Sequence, residues 1–398
     1  MSPTLPLIIH VIAAGIGAIF FAWRFQRLRF SPFAGAGIGA AAGAIGSLIF
    51  MLPLNYCTFE PERAVIDFAF GVLLIGIGMA ITLLPLNWLI SSVVFRRRNP
   101  GMTGATQGGL FRGSLLPFAF LAPTLIVLAL FLYYPSLDTF RLSTLLARLG
   151  IPRTAFVCVD NFTRLASDAN YLKFLGTTIL LSTAIVVIGL SLALAIALLA
   201  YQPIKGASIY RTLLIWPYAI SPVVAGVIFL LLFNPTGGIV NYGLNNLFGI
   251  SIGWLNDPNA GPWAVIIASV WKSLGYNILF YIAGLQNVPK DIQEAASIDG
   301  ANAVRRFFTV VVPLLSPITF FLVITNMTYA FFETFGTIDY LTGGGPLRST
   351  TTLMYNIYDI GIRNNDLGKG AAQSIVLFVL VIGLTVLQFR TQRVEYGA

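Results

Sequence analysis

Nine apolar runs, most of them close to the length that carries a helix across hydrocarbon, leave this chain little choice of architecture. They fall near 5–23, 33–54, 68–95, 115–137, 172–201, 209–233, 262–285, 313–333 and 372–389. About 20 apolar residues cover a hydrocarbon core of roughly 30 Å as α-helix. Inside that layer a helix satisfies its own backbone polar groups without water. Composition agrees. Hydrophobic residues make up 57% of the chain and charged residues 10%, with a mean hydropathy of +0.83. A soluble domain carries about 25% charged residues, so this chain has too little polar surface to clothe a core in water. The expected fold class is an all-α polytopic membrane protein.

The charges between the runs set an orientation. Arg24, Arg27 and Arg29 follow the first run, and Arg96, Arg97, Arg98 and Arg112 follow the third. Lys205 and Arg211 flank the gap between the fifth and sixth. Lys290, Arg305 and Arg306 follow the seventh, and Arg390 and Arg393 the last. If every run spans once, all these gaps share one side, which is therefore cytoplasmic. The expectation is an N-terminus outside and a C-terminus inside, with 55–67, 138–171, 234–261 and 334–371 as outer loops. The first run has no basic residue before it and no clear small-residue cleavage site. It reads as a retained helix rather than a signal peptide. The 33–54 run is less greasy, and its Gly and Ala residues suggest close helix packing.

Several functions are excluded or disfavoured. His10 is the only histidine, which argues against His-based metal sites and His general-base catalysis. No GxxxxGK[ST] stretch is present, so the chain has no Walker site for ATP. The net charge of +9 reflects the inside positives, and no basic, aromatic-interleaved soluble segment points to nucleic acid. Cys57 and Cys158 both fall on expected outer loops, where they could pair in an oxidising compartment, although two cysteines in so long a chain favour free and unrelated thiols. The strip at 99–114, NPGMTGATQGGLFRGS, reads as a cytoplasmic linker. It divides an accessory segment, 1–98, with three crossings and almost no embedded polar chemistry, from a six-helix core at 115–393.

The core carries a polar insert between its apolar runs, EAASIDGANAVRRFFTVVVPLLSP at 294–317. Pro289 suits a first helical turn, and Asp291 and Glu294 suit the positive end of the helix dipole. Gly300 is expected to break or bend the helix before Arg305, Arg306, Phe307 and Phe308 lead back to the membrane at Pro313. The small Ala295, Ala296 and Ala301 let a partner approach closely, while Glu294 and Asp299 offer it charges. On these grounds alone the insert is either a docking helix or an ordinary interfacial helix.

The insert resembles the EAA loop found in integral-membrane subunits of bacterial ABC importers. The pattern is Glu-Ala-Ala, two variable residues, Asp-Gly-Ala, an aromatic and a proline-bounded apolar start. Here it is carried by Glu294, Ala295, Ala296, Asp299, Gly300, Ala301, Phe307, Pro313 and Pro317. The resemblance implies that 287–312 is a coupling loop gripped by a cytoplasmic ATPase, with Glu294 and Arg305 among its contacts. It also implies three kinds of partner: a second permease subunit, two ABC ATPase subunits that hold ATP and Mg, and an extracytoplasmic solute-binding protein. This chain itself would hold no cofactor and catalyse nothing, and it would sit in the bacterial inner membrane. Further stretches, among them Tyr134-Pro135, Asp160-Asn161-Phe162, YAFFETF at 329–335, TTTLMYNIY at 350–358 and AAQSIVLFVLVIGLTVLQFR at 371–390, are similar to maltose-type carbohydrate permeases. Within that family YAFFETF, TTTLMYNIY and AAQSIVLFVLVIGLTVLQFR point to the sn-glycerol-3-phosphate importers. The resemblance implies uptake of sn-glycerol 3-phosphate or a related glycerophosphodiester, with a neutral sugar, oligosaccharide or polyol as the alternative. It covers 115–393 and leaves 1–98 as a departure from the usual six helices.

Polar residues inside the core runs are the candidates for a solute path. Tyr218, Lys272, Tyr276, Asn277, Asn326 and Glu333 lie in or at the edge of apolar runs. Lys272 and Tyr276, four apart, share a helical face, whereas Asn277 shares only part of it and Glu333 is expected near the outer end of its helix. Groups of this kind are path-lining or structurally paired. An ion-coupled secondary carrier is the rival class, and it lacks the deep pair of acids that would favour it.

Overall fold

The computed structural model describes residues 4–27, 31–58, 72–73, 75–80, 82–88, 90, 115–151, 155–157, 159–202 and 206–391. The 99–114 linker lies outside them, as do Cys158 and the side chain of Cys57. Almost every described element is helical. By compactness the chain forms two units, 1–163 with 366–372, and 164–365 with 373–398.

The first unit opens with two long helices, Thr4–Arg27 and Pro32–Thr58. Their packing explains the glycines of the 33–54 run. A Cβ on Gly17 would collide with the Gly39 carbonyl, one on Gly39 with the Gly17 carbonyl, and one on Gly43 with the Ala13 carbonyl. Hydrogen-only faces let the two backbones touch, which is how helices associate where lipid offers no hydrophobic drive. Polar side chains fasten the same unit. The Ser47 hydroxyl donates to the Ala44 carbonyl at 2.8 Å and faces His10 Nδ1 at 2.8 Å. Arg24 Nε donates to Asn87 Oδ1 at 3.1 Å, and the Thr82 hydroxyl to the Ala42 carbonyl at 3.0 Å. In the same unit Phe120–Ser143 is a long apolar helix, followed by a two-residue antiparallel pair, Leu145–Leu146 with Ala155–Phe156. The Asn161 amide donates to the carbonyls of Ser143 and Leu145 and holds this turn closed.

The second unit is built around Gly261–Gln286. Buried Leu181, Ile185, Leu190 and Ala193 from Ala169–Ala200 pack with Ile266, Val270, Ile278 and Tyr281 of that helix and with Leu315 and Leu322. The span Ser316–Leu341 and the helix Leu367–Thr391 complete the set. Five described helices in the chain are long and apolar enough to cross a membrane, and a bent pair makes a sixth. All six fall within 115–393, as expected for the core.

Two expectations are corrected here. The 209–233 run, read as one straight crossing, is broken. Ala207–Ile215 ends in a 3₁₀ turn at Trp216–Ala219, and Pro222–Leu232 starts afresh. The two arms meet at 99°. Ser221 precedes a proline, which pushes it out of the α region. Its ψ is 153°, and its hydroxyl accepts from the Val224 N–H as an N-cap. The second correction concerns the 313–333 run. Glu333 ends the helix Ser316–Phe332 as its C-cap residue, as expected, but the span runs on through Thr334–Leu341. Composition hid this, because Glu333 and Thr334 read as the polar edge of the apolar run.

Replacing Gly17 with Val should force the two N-terminal helices apart. Overpacking of this kind costs about 1–3 kcal/mol, so the variant should show a lower thermal midpoint or faster proteolysis of 1–98 in detergent, while Gly15→Val, at an open position, should not.

Candidate functional site

Two places in the second unit carry chemistry. The first is the polar insert. Lys290–Ile298 is a helix with Pro289 as its N-cap residue and Asp291 in its first turn. It ends in a Schellman closure: the Ala301 N–H bonds the Ala296 carbonyl at 3.0 Å, and the Gly300 N–H bonds the Ser297 carbonyl at 3.2 Å. That closure places a left-handed residue after the helix, and Gly300 has φ +79° with nothing near its missing side chain. Asn302 then caps a new helical turn, accepting from the Arg305 N–H at 2.8 Å. The spacing of Asp-Gly-Ala-Asn is thus a helix stop followed at once by a helix start. Glu294, Ala295, Asp299, Gly300 and Arg305 are exposed, and Ala296 and Ala301 are half-buried. Ile298 is 87% exposed.

The second place is a cavity of about 240 Å³ within the apolar spans. Tyr218, Lys272, Ser273, Tyr276, Thr325, Asn326, Thr328, Tyr329, Phe332 and Glu333 line it. Five of the six residues singled out from sequence are therefore brought together. The sixth, Asn277, is fully buried behind the wall. Its amide donates to Asn326 Oδ1 at 3.0 Å, and Asn326 returns a bond to Asn277 Oδ1 at 2.7 Å. This closed pair joins Gly261–Gln286 to Ser316–Phe332 and commits Asn277 to structure. Asn326 also donates to the Leu322 carbonyl at 2.8 Å.

Lys272 sits halfway along its helix and is 5% exposed. Its ammonium lies over two aromatic faces, 4.8 Å from the Tyr329 ring centre and 5.4 Å from that of Tyr218. The Tyr218 ring packs on Tyr276 at 5.2 Å, and Tyr276 on Phe280 at 4.7 Å. The broken span makes this possible, because Tyr218 sits on its 3₁₀ turn. Sequence reasoning missed Ser273, Thr325, Thr328, Tyr329 and Phe332. Positions 325, 328, 329 and 332 follow the i, i+3, i+4, i+7 spacing of one helical face, and that stripe was the available signal.

Known proteins place this architecture. Residues 185–392 match the family model described as the binding-protein-dependent transport system inner membrane component. The chain belongs to that family. The matched stretch holds both the polar insert and every cavity residue. The chain is 43% identical over 293 residues to the sn-glycerol-3-phosphate transport system permease protein UgpA of Agrobacterium fabrum, covering 73% of this chain and all of that one. Against UgpA of Yersinia pseudotuberculosis it is 44% identical over 292 residues, covering 70% and 95%. A crystal structure of a bacterial alginate ABC transporter in complex with an alginate pentasaccharide-bound periplasmic protein shares the fold, with a TM-score of 0.61 at 21% identity over 70% of this chain and 94% of that one. This permease component is accordingly a multi-pass inner-membrane transport subunit and not an enzyme.

Gly300→Leu should strain the Schellman closure by about 1–2 kcal/mol without touching any neighbour. In the assembled transporter it should lower solute-stimulated ATP hydrolysis, and Glu294→Lys should do the same. Membrane insertion, measured by yield of extracted chain, should be unchanged for both.

Proposed function

We propose that this permease component forms half of the translocation path of an ATP-driven importer and takes up sn-glycerol 3-phosphate or a related glycerophosphodiester. The observation that carries the substrate is the 43% identity across the whole length of an sn-glycerol-3-phosphate permease. The cavity supports it, because Lys272 supplies a cation where a phosphate would otherwise be costly to hold in low dielectric. A second permease subunit completes the path. Two cytoplasmic ATPase subunits bind ATP and Mg and grip the 287–312 loop through Glu294, Ala295, Ala296, Asp299, Gly300, Ala301 and Arg305. An extracytoplasmic binding protein delivers solute to the outer loops. Tyr218, Lys272, Tyr276, Asn326 and Glu333 face the solute. The basic residues following the crossings favour an N-terminus outside and a C-terminus in the cytoplasm. Residues 1–98 form an accessory unit joined to the core through the 99–114 linker.

A neutral saccharide is the second reading, favoured by the tyrosine faces of the cavity, which suit the apolar faces of sugar rings. Uptake by the complex reconstituted in vesicles separates the two. Lys272→Met should lower binding-protein-stimulated uptake of sn-glycerol 3-phosphate by roughly 10- to 100-fold, the weight of about 1.5–3 kcal/mol for a bond to a charged group, and should not lower basal ATP hydrolysis. Uptake of an uncharged saccharide in preference to the phosphate ester would replace the substrate and leave the importer assignment standing.

A further inference from the structure

Lys272 is buried in an apolar span without an acid beside it. No carboxylate oxygen of a described residue lies within 4 Å of its ammonium. Glu333, the one acid lining the cavity, acts on it only through longer-range charge attraction. What touches the ammonium is two rings, and these belong to two other elements. Tyr329 is on Ser316–Phe332, and Tyr218 is on the 3₁₀ break of the bent span.

The break is a joint between two arms fixed to different neighbours. On one side, Gly275 lies so close to Ile215 that a Cβ would meet its Cα at 2.8 Å, which seats Ala207–Ile215 against Gly261–Gln286. On the other side, Thr337 Oγ1 donates to the Pro222 carbonyl at 3.2 Å, and Gly226 abuts the Thr337 carbonyl, which seats Pro222–Leu232 against Thr334–Leu341. At the joint Ile220 is extended, so no continuous helical ladder fixes the 99° angle. The side-chain contacts of Tyr218, to Tyr276 and to the Lys272 ammonium, lie where that angle is set.

We propose that Lys272 is a solute-released clamp. In the empty cavity its ammonium ties the Tyr218 joint to Tyr329 through two cation–π contacts, and an anionic solute frees the joint by taking the ammonium for itself. The competition has a definite sign. A ring face offers a cation only its quadrupole, whereas a phosphate oxygen offers a full charge and a charge-assisted hydrogen bond. The second is the stronger interaction. By reciprocity, a solute that loosens the joint binds more tightly once the joint is loose. Release therefore rests on the anionic-solute reading given above, while the clamp itself rests on the ring contacts.

ATP hydrolysis by the assembled transporter in lipid discs, without solute or binding protein, reads the clamp. Tyr218→Leu should raise the basal rate about two- to fivefold, the weight of one ring contact to a cation. Tyr218→Phe keeps a ring and should raise it less. The double variant Tyr218→Leu with Lys272→Met should be no faster than Tyr218→Leu alone, because either change cuts the same tie between the Tyr218 joint and Tyr329. Leu231→Ala, on an exposed apolar face outside the cavity, controls for loosened packing. A basal rate equal to wild type in Tyr218→Leu, or effects that add in the double variant, would overturn the clamp whatever the solute proves to be. A wild-type complex stimulated by binding protein loaded with a neutral saccharide, and not with sn-glycerol 3-phosphate, would overturn release by an anion. That result would leave the ring contacts to be judged by the basal rates.

Discussion

Hydrocarbon offers no hydrogen bonds, and that constraint governs the second unit of this molecule. A polar side chain that enters a span is stabilised by bringing its own partner or by facing a cavity. Asn277 and Asn326 solve this by bonding each other. Thr325 and Thr328 return their hydroxyls to the carbonyls of Phe321 and Ile324 at 3.0 Å each. Lys272 cannot be satisfied locally, and it is the residue around which tyrosines from two other elements gather. A cation in that position is costly without use, so its surroundings are the strongest internal pointer to a solute path.

Two interruptions of helix give the unit its working parts, and they are made differently. The break at 216–221 is set by Pro217 and Pro222, which remove amide donors and exclude α conformation from Ser221. It puts a tyrosine where a straight helix would have packed smoothly. The stop at 299–302 is set by Gly300 in left-handed conformation and by the Asn302 cap. It displays a short helix with small and charged residues outward. One interruption lies within the apolar spans and shapes a cavity. The other lies in the polar insert between spans and displays a short, largely exposed helix.

The N-terminal helices follow another logic. Gly17, Gly39 and Gly43 bring two backbones into contact with few polar groups between them, and their surfaces present Val11, Ile12, Ile16 and Ile19 outward. Such a pair suits lipid, and it carries none of the cavity residues.

The sequence alone determined the number and placement of the apolar core segments and the polar insert, because both follow from local composition and spacing. Length fixes a span, and Asp-Gly-Ala-Asn fixes a helix stop and start. It also named half of the cavity lining, since a polar residue in an apolar run is conspicuous without a structure. Only the tertiary structure decided which of those residues are free to act. Asn277 looked like Tyr276 in sequence, yet a partner 49 residues away takes its amide. Tyr329 looked like an ordinary aromatic, yet it carries the Lys272 ammonium from another helix. Glu333 looked like the end of its span, yet the span continues to Leu341. Each of these depends on contacts between helices far apart in the chain, and periodicity within a single helix holds no record of its neighbours.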